Sequence, residues 1–321
     1  MSNSQQSAIN KKINIVFMGT PQFSCPALQS LINNPDFQII GVFTQPDRPI
    51  GRKQIITFPP VKTLVVKYGL PVFQPLKIKT EIETIKSLAP DLIVVIAYGQ
   101  IIPQKILDIP AHGGINVHAS LLPKYRGAAC LNAPILNGDD RTGVTVMMME
   151  AGLDTGPILR QTEIRLQGNE TLELLHDRLS QIGASMLPET IKDFLAGNIK
   201  PQPQDDKQSS YVKTLKKEDG HINWHKDATA IERMIRAYNP WPGTFANKAD
   251  GKMLKILAVE HQPLAINAHR PGTLFSENRR LLIQCGQDSL VVLKLQIAGG
   301  KPLKDQEFLA GHSSLINSVL N

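Results

Sequence analysis

The chain of 321 residues is poor in cysteine, poor in aromatic residues and free of long apolar runs. Its three cysteines, Cys25, Cys130 and Cys285, lie far apart and form no CxxC motif, which argues against a disulfide framework and a cysteine metal site. No apolar run reaches the roughly 18 residues that a membrane span requires. We therefore expect reduced, buried thiols and a chain that does not cross a membrane.

The first residues give no indication of a targeting segment. The first twelve residues, MSNSQQSAINKK, lack the apolar core of a secretory signal and the arginines of a mitochondrial presequence. The hydrophobic content of 42%, with 20% charged residues, is ordinary for a globular protein. We expect a cytoplasmic protein, and the length favours two domains.

Charge is distributed unevenly along the chain, whose formal net charge is +7. Residues 1–207 carry 20 Lys and Arg against 18 Asp and Glu, whereas residues 208–321 carry 15 against 10. A basic C-terminal part suggests a polyanionic partner, although a solvated basic surface explains the charge alone equally well.

The apolar pattern of the first 200 residues alternates between strands and helices. The strand-like runs INIVFMG, FQIIGVFT and DLIVVIAYG are separated by helical segments such as TEIETIKSLAP. This alternation predicts an α/β domain with a Rossmann-like parallel sheet and ligand-binding loops at its carboxyl edge. The first turn, MGTPQF, lacks the GxGxxG spacing that binds a dinucleotide, so we reject a nicotinamide or flavin cofactor.

The pattern changes after residue 200. The stretch NIKPQPQDDKQSS is polar and Pro-rich, which is typical of a linker. Beyond it, the short strand-like runs KMLKILAVEHQ, PGTLFSE, RRLLIQCG and SLVVLKLQIAGG predict a small OB-like β-barrel. We predict a first domain at 1–200, a linker at 201–213 and a second domain at 214–321.

Three polar residues stand where the predicted sheet binds ligands. Asn116 and His118, in GGINVHASLLP, end a strand-like run, and their two-residue spacing puts both side chains on one face. Asp154, in GLDTG, lies between Gly152 and Gly156, which permit a tight turn that aims a carboxylate. Taken singly, each has an ordinary structural explanation, such as a core histidine or an Asx-turn aspartate.

Together, the amide, imidazole and carboxylate suit direct acyl transfer to an external amine. The Asn116 amide would stabilise a carbonyl oxygen as it becomes an oxyanion, His118 would move protons, and Asp154 would fix the histidine tautomer. Ser120 follows closely, but HASLLP has no glycine elbow to expose it as a nucleophile. HINWH, with two histidines four residues apart, has no carboxylate motif around it, so we predict no metal.

Several motifs resemble those of the methionyl-tRNA formyltransferase family. They are GVFTQPDRPIGR, VVIAYGQIIP, INVHASLLPKYRGAA, TGVTVMMMEAGLDTGPIL and IRAYNPWPGTF. Asn-x-His, SLLP and GLDTG are typical of folate-dependent formyltransferases as a group, whereas PDRPxGR and NPWP narrow the resemblance to this family. It covers nearly the whole chain from about Ile13.

The resemblance implies a role for three sets of residues. The set that matches the family's catalytic residues is Asn116, His118 and Asp154. The set that matches its folate-contacting segment is Ser120, Leu121, Leu122 and Pro123. The third set lies in the RPIGRK loop and is expected to bind tRNA. In it, Arg52 matches a basic residue of the family that engages the acceptor end, and Arg48 and Lys53 lie beside it.

The same resemblance implies the substrates. They are 10-formyltetrahydrofolate as formyl donor and the α-amino group of initiator methionyl-tRNA as acceptor. The reaction would serve translation initiation, and we expect the protein to be a monomer.

Two positions depart from the family pattern. Cys130 occupies the position after RGAA where proline is expected, and Tyr125 occupies a position where tryptophan is usual.

Two alternatives stay open at this point. One is a related formyltransferase that acts on a nucleotide-linked amino sugar, against which the basic C-terminal part and the RPIGRK loop argue. The other is an RNA-binding protein whose α/β domain is inactive, against which the complete set of catalytic residues argues. A formyl transfer assay with both acceptors separates them.

Overall fold

The computed structural model describes residues 12–51 and 53–321. The strands in this part of the chain are β1 (Ile13–Gly19), β2 (Phe37–Phe43), β3 (Arg48–Ile50), β4 (Ile55–Thr57), β5 (Val72–Phe73), β6 (Leu92–Ile96), β7 (Gly114–His118), β8 (Arg126–Gly127), β9 (Arg141–Met148), β10 (Ile158–Arg165), β11 (Tyr211–Val212), β12 (Thr244–Asn247), β13 (Met253–Val259), β14 (Leu274–Glu277), β15 (Arg280–Gln284), β16 (Ser289–Ile297) and β17 (Leu303–Lys304).

The α-helices in the described residues are α1 (Cys25–Ile32), α2 (Pro60–Val66), α3 (Ile82–Leu88), α4 (Gln104–Leu107), α5 (Ala133–Asn137), α6 (Leu172–Leu195), α7 (Ala228–Tyr238) and α8 (Asp305–Gly311). Short 3-10 helices cover Gln22–Ser24, Ile78–Thr80, Asp206–Gln208, Lys217–Gly220 and Ser313–Leu315.

The chain forms two compact units, and each draws on several segments. The first contains the described residues up to Gly127 together with Gly143–Ile164 and His176–Tyr211. The second contains Ala128–Thr142, Arg165–Leu175 and Val212–Asn321.

The first unit is built on a sheet with the strand order β10-β9-β7-β6-β1-β2-β5. β1 pairs in parallel with β2 and β6, β2 with β5, and β6 with β7, which confirms the predicted Rossmann-like parallel sheet. The carboxyl ends of these strands therefore share one edge, and His118 is the last residue of β7. β9 runs antiparallel to β7 and extends the sheet beyond the parallel strands.

Burial explains the apolar runs of this unit. All five residues of β6, LIVVI, are buried, as expected for a parallel strand with both faces covered. One core cluster joins Val16, Phe43, Ile93 and Tyr98. Each fully buried aliphatic side chain contributes roughly 1.5–3 kcal/mol, so this core holds the carboxyl edge of the sheet in place.

The second unit is built on an antiparallel sheet with the order β12-β13-β16-β15-β14, and β17 pairs with β16. Helix α7 begins after Asp227, whose side chain accepts from Ala230 N at 2.7 Å, and it buries Ile231 and Ile235 on one face. It ends before Pro240, as the sequence predicts. An α/β fold with a C-terminal β-sheet domain is thus confirmed.

The stretch predicted as a linker is bound to the first unit over much of its length. Ile158 and Gln202 exchange two backbone hydrogen bonds of 2.8 Å, and Arg126 N donates to Ser210 O at 2.8 Å. A polar, Pro-rich composition indicates exposure to water, but it does not prevent backbone groups from pairing with a neighbouring strand. Residues 202–211 (the 202–211 segment) are therefore part of the first unit.

The cysteines are free and buried, as predicted. Burial raises the pKa of the Cys25 thiol to about 11 and that of Cys285 to about 12, so both remain protonated at neutral pH.

Within residues 12–51 and 53–321, no helix has the length and apolar character that crossing a membrane requires. The same residues contain no group of three or more His, Cys, Asp or Glu side chains arranged to hold a metal ion.

Candidate active site

Strand β7 carries two polar side chains into the interior of the first unit. All of its residues are buried, and the exposed fractions of Asn116 and His118 are 9% and 6%. Asn116 lies opposite Val95 of β6 and Met147 of β9, and His118 lies opposite Thr145. Because side chains alternate along a strand, the two point to the same face, as the two-residue spacing predicts.

Asp154 reaches the same face from the loop between β9 and β10. Because β9 is antiparallel to β7, the last residue of β9, Met148, lies beside Ile115 near the start of β7. The loop that follows Met148 runs back along β7 from there. A Cβ at Gly156 would lie 2.0 Å from Met148 O, so only glycine allows this close approach. Asp154 itself is in the left-handed region, with φ of 54°.

The structure brings the three predicted catalytic residues (the triad) together. Asn116 Nδ2 donates to Asp154 Oδ1 at 3.4 Å, and His118 Nδ1 lies 3.7 Å from Asp154 Oδ2. Asp154 Oδ2 also accepts from Gly127 N at 2.8 Å, which fixes the carboxylate. The result is a buried amide, a buried imidazole and a partly buried carboxylate around one point.

The orientation of His118 depends on a group that the sequence analysis did not identify. His118 Nε2 lies 2.9 Å from Tyr125 O, and because a carbonyl only accepts, Nε2 carries the proton. In this geometry Tyr125 O selects the tautomer, whereas we expected Asp154 to do so. Nδ1 is the nitrogen that faces the carboxylate. The contact uses the backbone of Tyr125, so the departure from tryptophan at this position leaves it intact.

The predicted folate-contacting segment is only partly accessible. Ser120 is fully buried and its Oγ donates to Lys124 O at 2.6 Å, which agrees with our rejection of a serine nucleophile. Leu122 is also buried, and its N donates to Thr145 Oγ1 at 3.1 Å. Leu121 and Pro123 are half-buried, so these two side chains have surface available for a ligand.

The predicted basic loop forms a hairpin of β3 and β4 (the β3–β4 hairpin), which follows β2 at the carboxyl edge of the sheet. Arg48 and Lys53 are exposed, and Arg48 Nη2 lies 3.5 Å from Gln45 Oε1. Arg52 lies outside the described residues. Ile55 and Ile56 are 61% and 62% exposed, so apolar side chains accompany the charges.

Three polar side chains hold the base of the β3–β4 hairpin. Asp47 accepts from Lys62 Nζ at 2.6 Å and from Gln74 Nε2 at 2.8 Å. The hydrogen bond from Lys62, then that from Gln74, lowers the pKa of Asp47 below its usual value. The sequence analysis did not identify this contact because the three residues are far apart in the chain and follow no periodic pattern.

Arg126 and Gln204 are two further residues near the triad that the sequence analysis missed. Arg126 is 1% exposed, and its guanidinium donates to Gln204 Oε1, Asp206 Oδ1 and Tyr211 OH. Burial acts to lower the pKa of Arg126, but the hydrogen bonds with Tyr211 and Asp206 more than offset this, so the net shift is upward. The KYRGAA stretch was the available signal, because an arginine in a buried stretch requires several acceptors.

Comparisons with known proteins identify the family. The model described as Formyl transferase matches residues 11–191, and the model described as Formyl transferase, C-terminal domain matches residues 214–313. The chain is 47% identical over 309 residues to "Methionyl-tRNA formyltransferase" of Trichlorobacter lovleyi, with 95% of this chain and 96% of the relative covered. The chain belongs to the methionyl-tRNA formyltransferase family.

Further relatives agree with this assignment. The Geobacter sulfurreducens member of the family is also 47% identical, over 302 residues that cover 93% of this chain and 94% of the relative. Among solved structures, an N-formyltransferase from Helicobacter canadensis has a TM-score of 0.65 at 18% identity, with 87% of this chain and 98% of that chain covered. HypX from Aquifex aeolicus has a TM-score of 0.62 at 16% identity, with 94% of this chain and 48% of that chain covered. At these identities the two structures show a common fold.

Proposed function

We propose that this protein transfers the formyl group of 10-formyltetrahydrofolate to the α-amino group of methionine on initiator methionyl-tRNA, for translation initiation. The family's name supports the acceptor. Membership of the formyl transferases supports a folate-derived donor, as do distant neighbours solved with tetrahydrofolic or folinic acid. The observation that carries the proposal is the convergence of Asn116 Nδ2 and His118 Nδ1 on the Asp154 carboxylate.

The reaction requires no covalent enzyme intermediate. The amine nitrogen of methionine forms a bond to the formyl carbon, and the bond between that carbon and N10 of the folate breaks. The amine loses a proton and N10 gains one, so the products are formylmethionyl-tRNA and tetrahydrofolate. An α-amino group has a pKa of roughly 7.7–8.0, so a neutral fraction exists at neutral pH without a strong base.

The triad supplies two things that the reaction does not have in water, a fixed donor for the oxyanion and a group that carries the proton. The bond from Asn116 Nδ2 to Asp154 is long at 3.4 Å, so the amide can turn to a developing oxyanion at little cost. One such donor typically contributes about 100–1000-fold to turnover. Because His118 Nε2 is bound to Tyr125 O, Nδ1 exchanges protons between the amine and N10, and Asp154 stabilises the charge that forms.

The rest of the proposal concerns substrate binding. Residues 1–200 would bind folate through Ser120–Pro123 and carry out catalysis, while residues 214–321 would bind tRNA. The basic group Arg48, Arg52 and Lys53 would contact the acceptor end of the tRNA. Arg48 and Lys53 are exposed near the carboxyl edge, where cations attract phosphates. Residues 201–213 would lead from the first domain to the second, with 202–211 held to the first unit by backbone hydrogen bonds. We expect a cytoplasmic monomer.

Formyl transfer assayed with two acceptors tests the proposal. The protein is incubated with 10-formyltetrahydrofolate and either methionyl-tRNA or dTDP-3-aminofucose, and the formylated product is measured. We expect formylmethionyl-tRNA and no formylated sugar. Formylation of the sugar alone would favour the amino-sugar alternative, and tRNA binding without transfer to either acceptor would favour the RNA-binding one.

A further inference from the structure

The 202–211 segment is held at both ends against the loops that complete the triad. At one end, Gln202 pairs with Ile158, just after the loop that carries Asp154. At the other, Ser210 Oγ accepts from Tyr125 N at 2.9 Å and Ser210 O accepts from Arg126 N at 2.8 Å. The segment therefore runs from the Asp154 loop to the loop whose carbonyl binds His118.

Gln204, within this segment, uses both ends of its amide to join the two loops. Its Nε2 donates to Asp154 O at 2.9 Å and to Gly156 O at 2.7 Å. Its Oε1 accepts from Arg126 Nε at 3.1 Å and from Arg126 Nη2 at 2.9 Å. The Gln204 side chain thus binds the backbone of Asp154, whose carboxylate is proposed to be catalytic. It also binds the side chain of Arg126, the residue before Gly127, and Gly127 N donates to that carboxylate.

The joined loops hold unfavourable backbone conformations. Asp154 has φ of 54° and Tyr125 has φ of 63°, and both are L-residues with a side chain. Such conformations are unfavourable for a residue with a side chain and persist only when surrounding contacts hold them. The Gln204 bonds end on the carbonyls of Asp154 and Gly156, within the turn that has to be held.

We propose that Gln204 is a positioning residue, which holds the backbone of Asp154 so that its carboxylate stays between Asn116 and His118. This inference rests on the proposed function for its kinetic consequence, but the geometry it describes can be tested without turnover. Gln204 acts through Asp154, so its loss should lower kcat and leave substrate binding almost unchanged. A misplacement of about 1 Å in such a group costs up to about 100-fold in rate.

The variant Gln204→Glu tests the donor of the amide separately from its acceptor. The carboxylate keeps the shape of the side chain and its acceptors for Arg126, but it loses the donor and repels the carbonyls of Asp154 and Gly156. We expect kcat to fall about 10- to 100-fold, with both KM values within about twofold of wild type. Gln204→Met removes both the donor and the acceptor for Arg126 without adding charge, and it should also lower kcat with both KM values nearly unchanged.

Gln208→Glu is the matched control. Gln208 lies in the same segment, but its side chain is exposed and its Nε2 donates to Asp205 Oδ2. The control should keep wild-type kcat. An equal loss of kcat in Gln204→Glu and Gln208→Glu would mean that the segment responds to any added charge, and would overturn the positioning role.

The ¹⁵N signals of the His118 imidazole give a readout that does not depend on formyl transfer. They report the environment of Nδ1, which faces Asp154, and the His118→Ala spectrum identifies them among the eight histidines. We expect them to shift in Gln204→Glu and in Gln204→Met, and to remain at wild-type positions in Gln208→Glu. Wild-type signals and wild-type kcat in a folded Gln204 variant would overturn the inference. If the wild-type protein transferred no formyl group, the proposed function would fail while the imidazole signals still tested the positioning role.

Discussion

The triad and the β3–β4 hairpin lie at the same edge of one sheet, yet they differ in almost every physical respect. The triad is largely buried, with Asn116 and His118 buried and Asp154 partly so, and backbone groups of Gly127 and Tyr125 hold its polar atoms. The hairpin is exposed, and its described charges, Arg48 and Lys53, extend into water.

This difference corresponds to two different tasks. Bond formation depends on tenths of an ångström, so the reacting groups benefit from burial and from hydrogen bonds that fix them before substrate arrives. Capture of a large polyanion depends on accessible charge, which works at longer range and tolerates motion. Variants in the triad should therefore lose rate, and variants in the hairpin should lose productive capture of the tRNA.

The largest expected effect is that of His118→Ala. Removal of the imidazole takes away proton transfer at Nδ1, which typically contributes about 100- to 10,000-fold, so kcat should fall by about three orders of magnitude. Steady-state formyl transfer measures this, with tRNA binding as a control that should stay unchanged. Near-wild-type kcat in a folded variant would remove His118 from the mechanism.

Asn116→Ala should have the next largest effect. Its amide is proposed to bind the oxyanion more tightly than the ground-state carbonyl, so kcat should fall about 100- to 1000-fold with little change in either KM. Asn116→Asp should be at least as slow, because a carboxylate repels the oxyanion. A change confined to KM would show that Asn116 binds substrate without stabilising the transition state.

The double variant Arg48→Ala, Lys53→Ala tests the other side of the comparison. We expect kcat/KM for methionyl-tRNA to fall about tenfold, or about 1.4 kcal/mol, while the KM for folate is unchanged. Each lost phosphate contact should also lower the slope of log K against log salt by roughly 0.7–0.9. If the hairpin is only a solvated loop, each substitution should cost under about 0.5 kcal/mol and the slope should not change.

Asp47→Asn should have the smallest effect. It breaks the ion pair with Lys62 at the base of the hairpin, and a pair this close to the surface contributes about 0–1 kcal/mol to stability. Because the folded-state pKa of Asp47 is lowered, its contribution is present above the unfolded pKa of about 3.9 and is lost as pH falls through the folded value.

Melting temperatures measured against pH check this sign. The wild type should melt slightly above Asp47→Asn at neutral pH, and the gap should close as the pH falls below the ordinary aspartate pKa of about 3.9 and through the lowered pKa of Asp47. A gap that persisted in acid would mean that the carboxylate charge is not what stabilises the hairpin base.

The sequence was sufficient to predict the parallel sheet and the meeting of Asn116 with His118, because both follow from simple periodicities. It was sufficient to predict a tight turn at Asp154, since glycines flank that residue on both sides. It did not indicate how the turn reaches β7, because that depends on β9 running antiparallel to β7, and a strand pattern carries no direction.

The role of Gln204 could not be predicted either, and the reason is different. It lies in a polar, Pro-rich stretch, where a buried contact and a solvated side chain have the same composition. The role of Tyr125 O was equally hidden, because a backbone carbonyl is present at every position whatever the residue type. Contacts made by backbone groups, and by single polar residues in irregular segments, require the three-dimensional arrangement.

A single-turnover measurement with Asp154→Asn tests most directly the claim that the triad carries the chemistry. Both substrates are held at saturation, so that capture by the hairpin does not limit the rate, and Leu153→Ala in the same loop serves as the control, since Leu153 is 60% exposed. The asparagine keeps the size of the side chain and removes its charge. We predict that the rate of formyl transfer falls by at least about 100-fold in Asp154→Asn, with both substrates still bound. A rate close to that of the wild type and of Leu153→Ala would contradict the account.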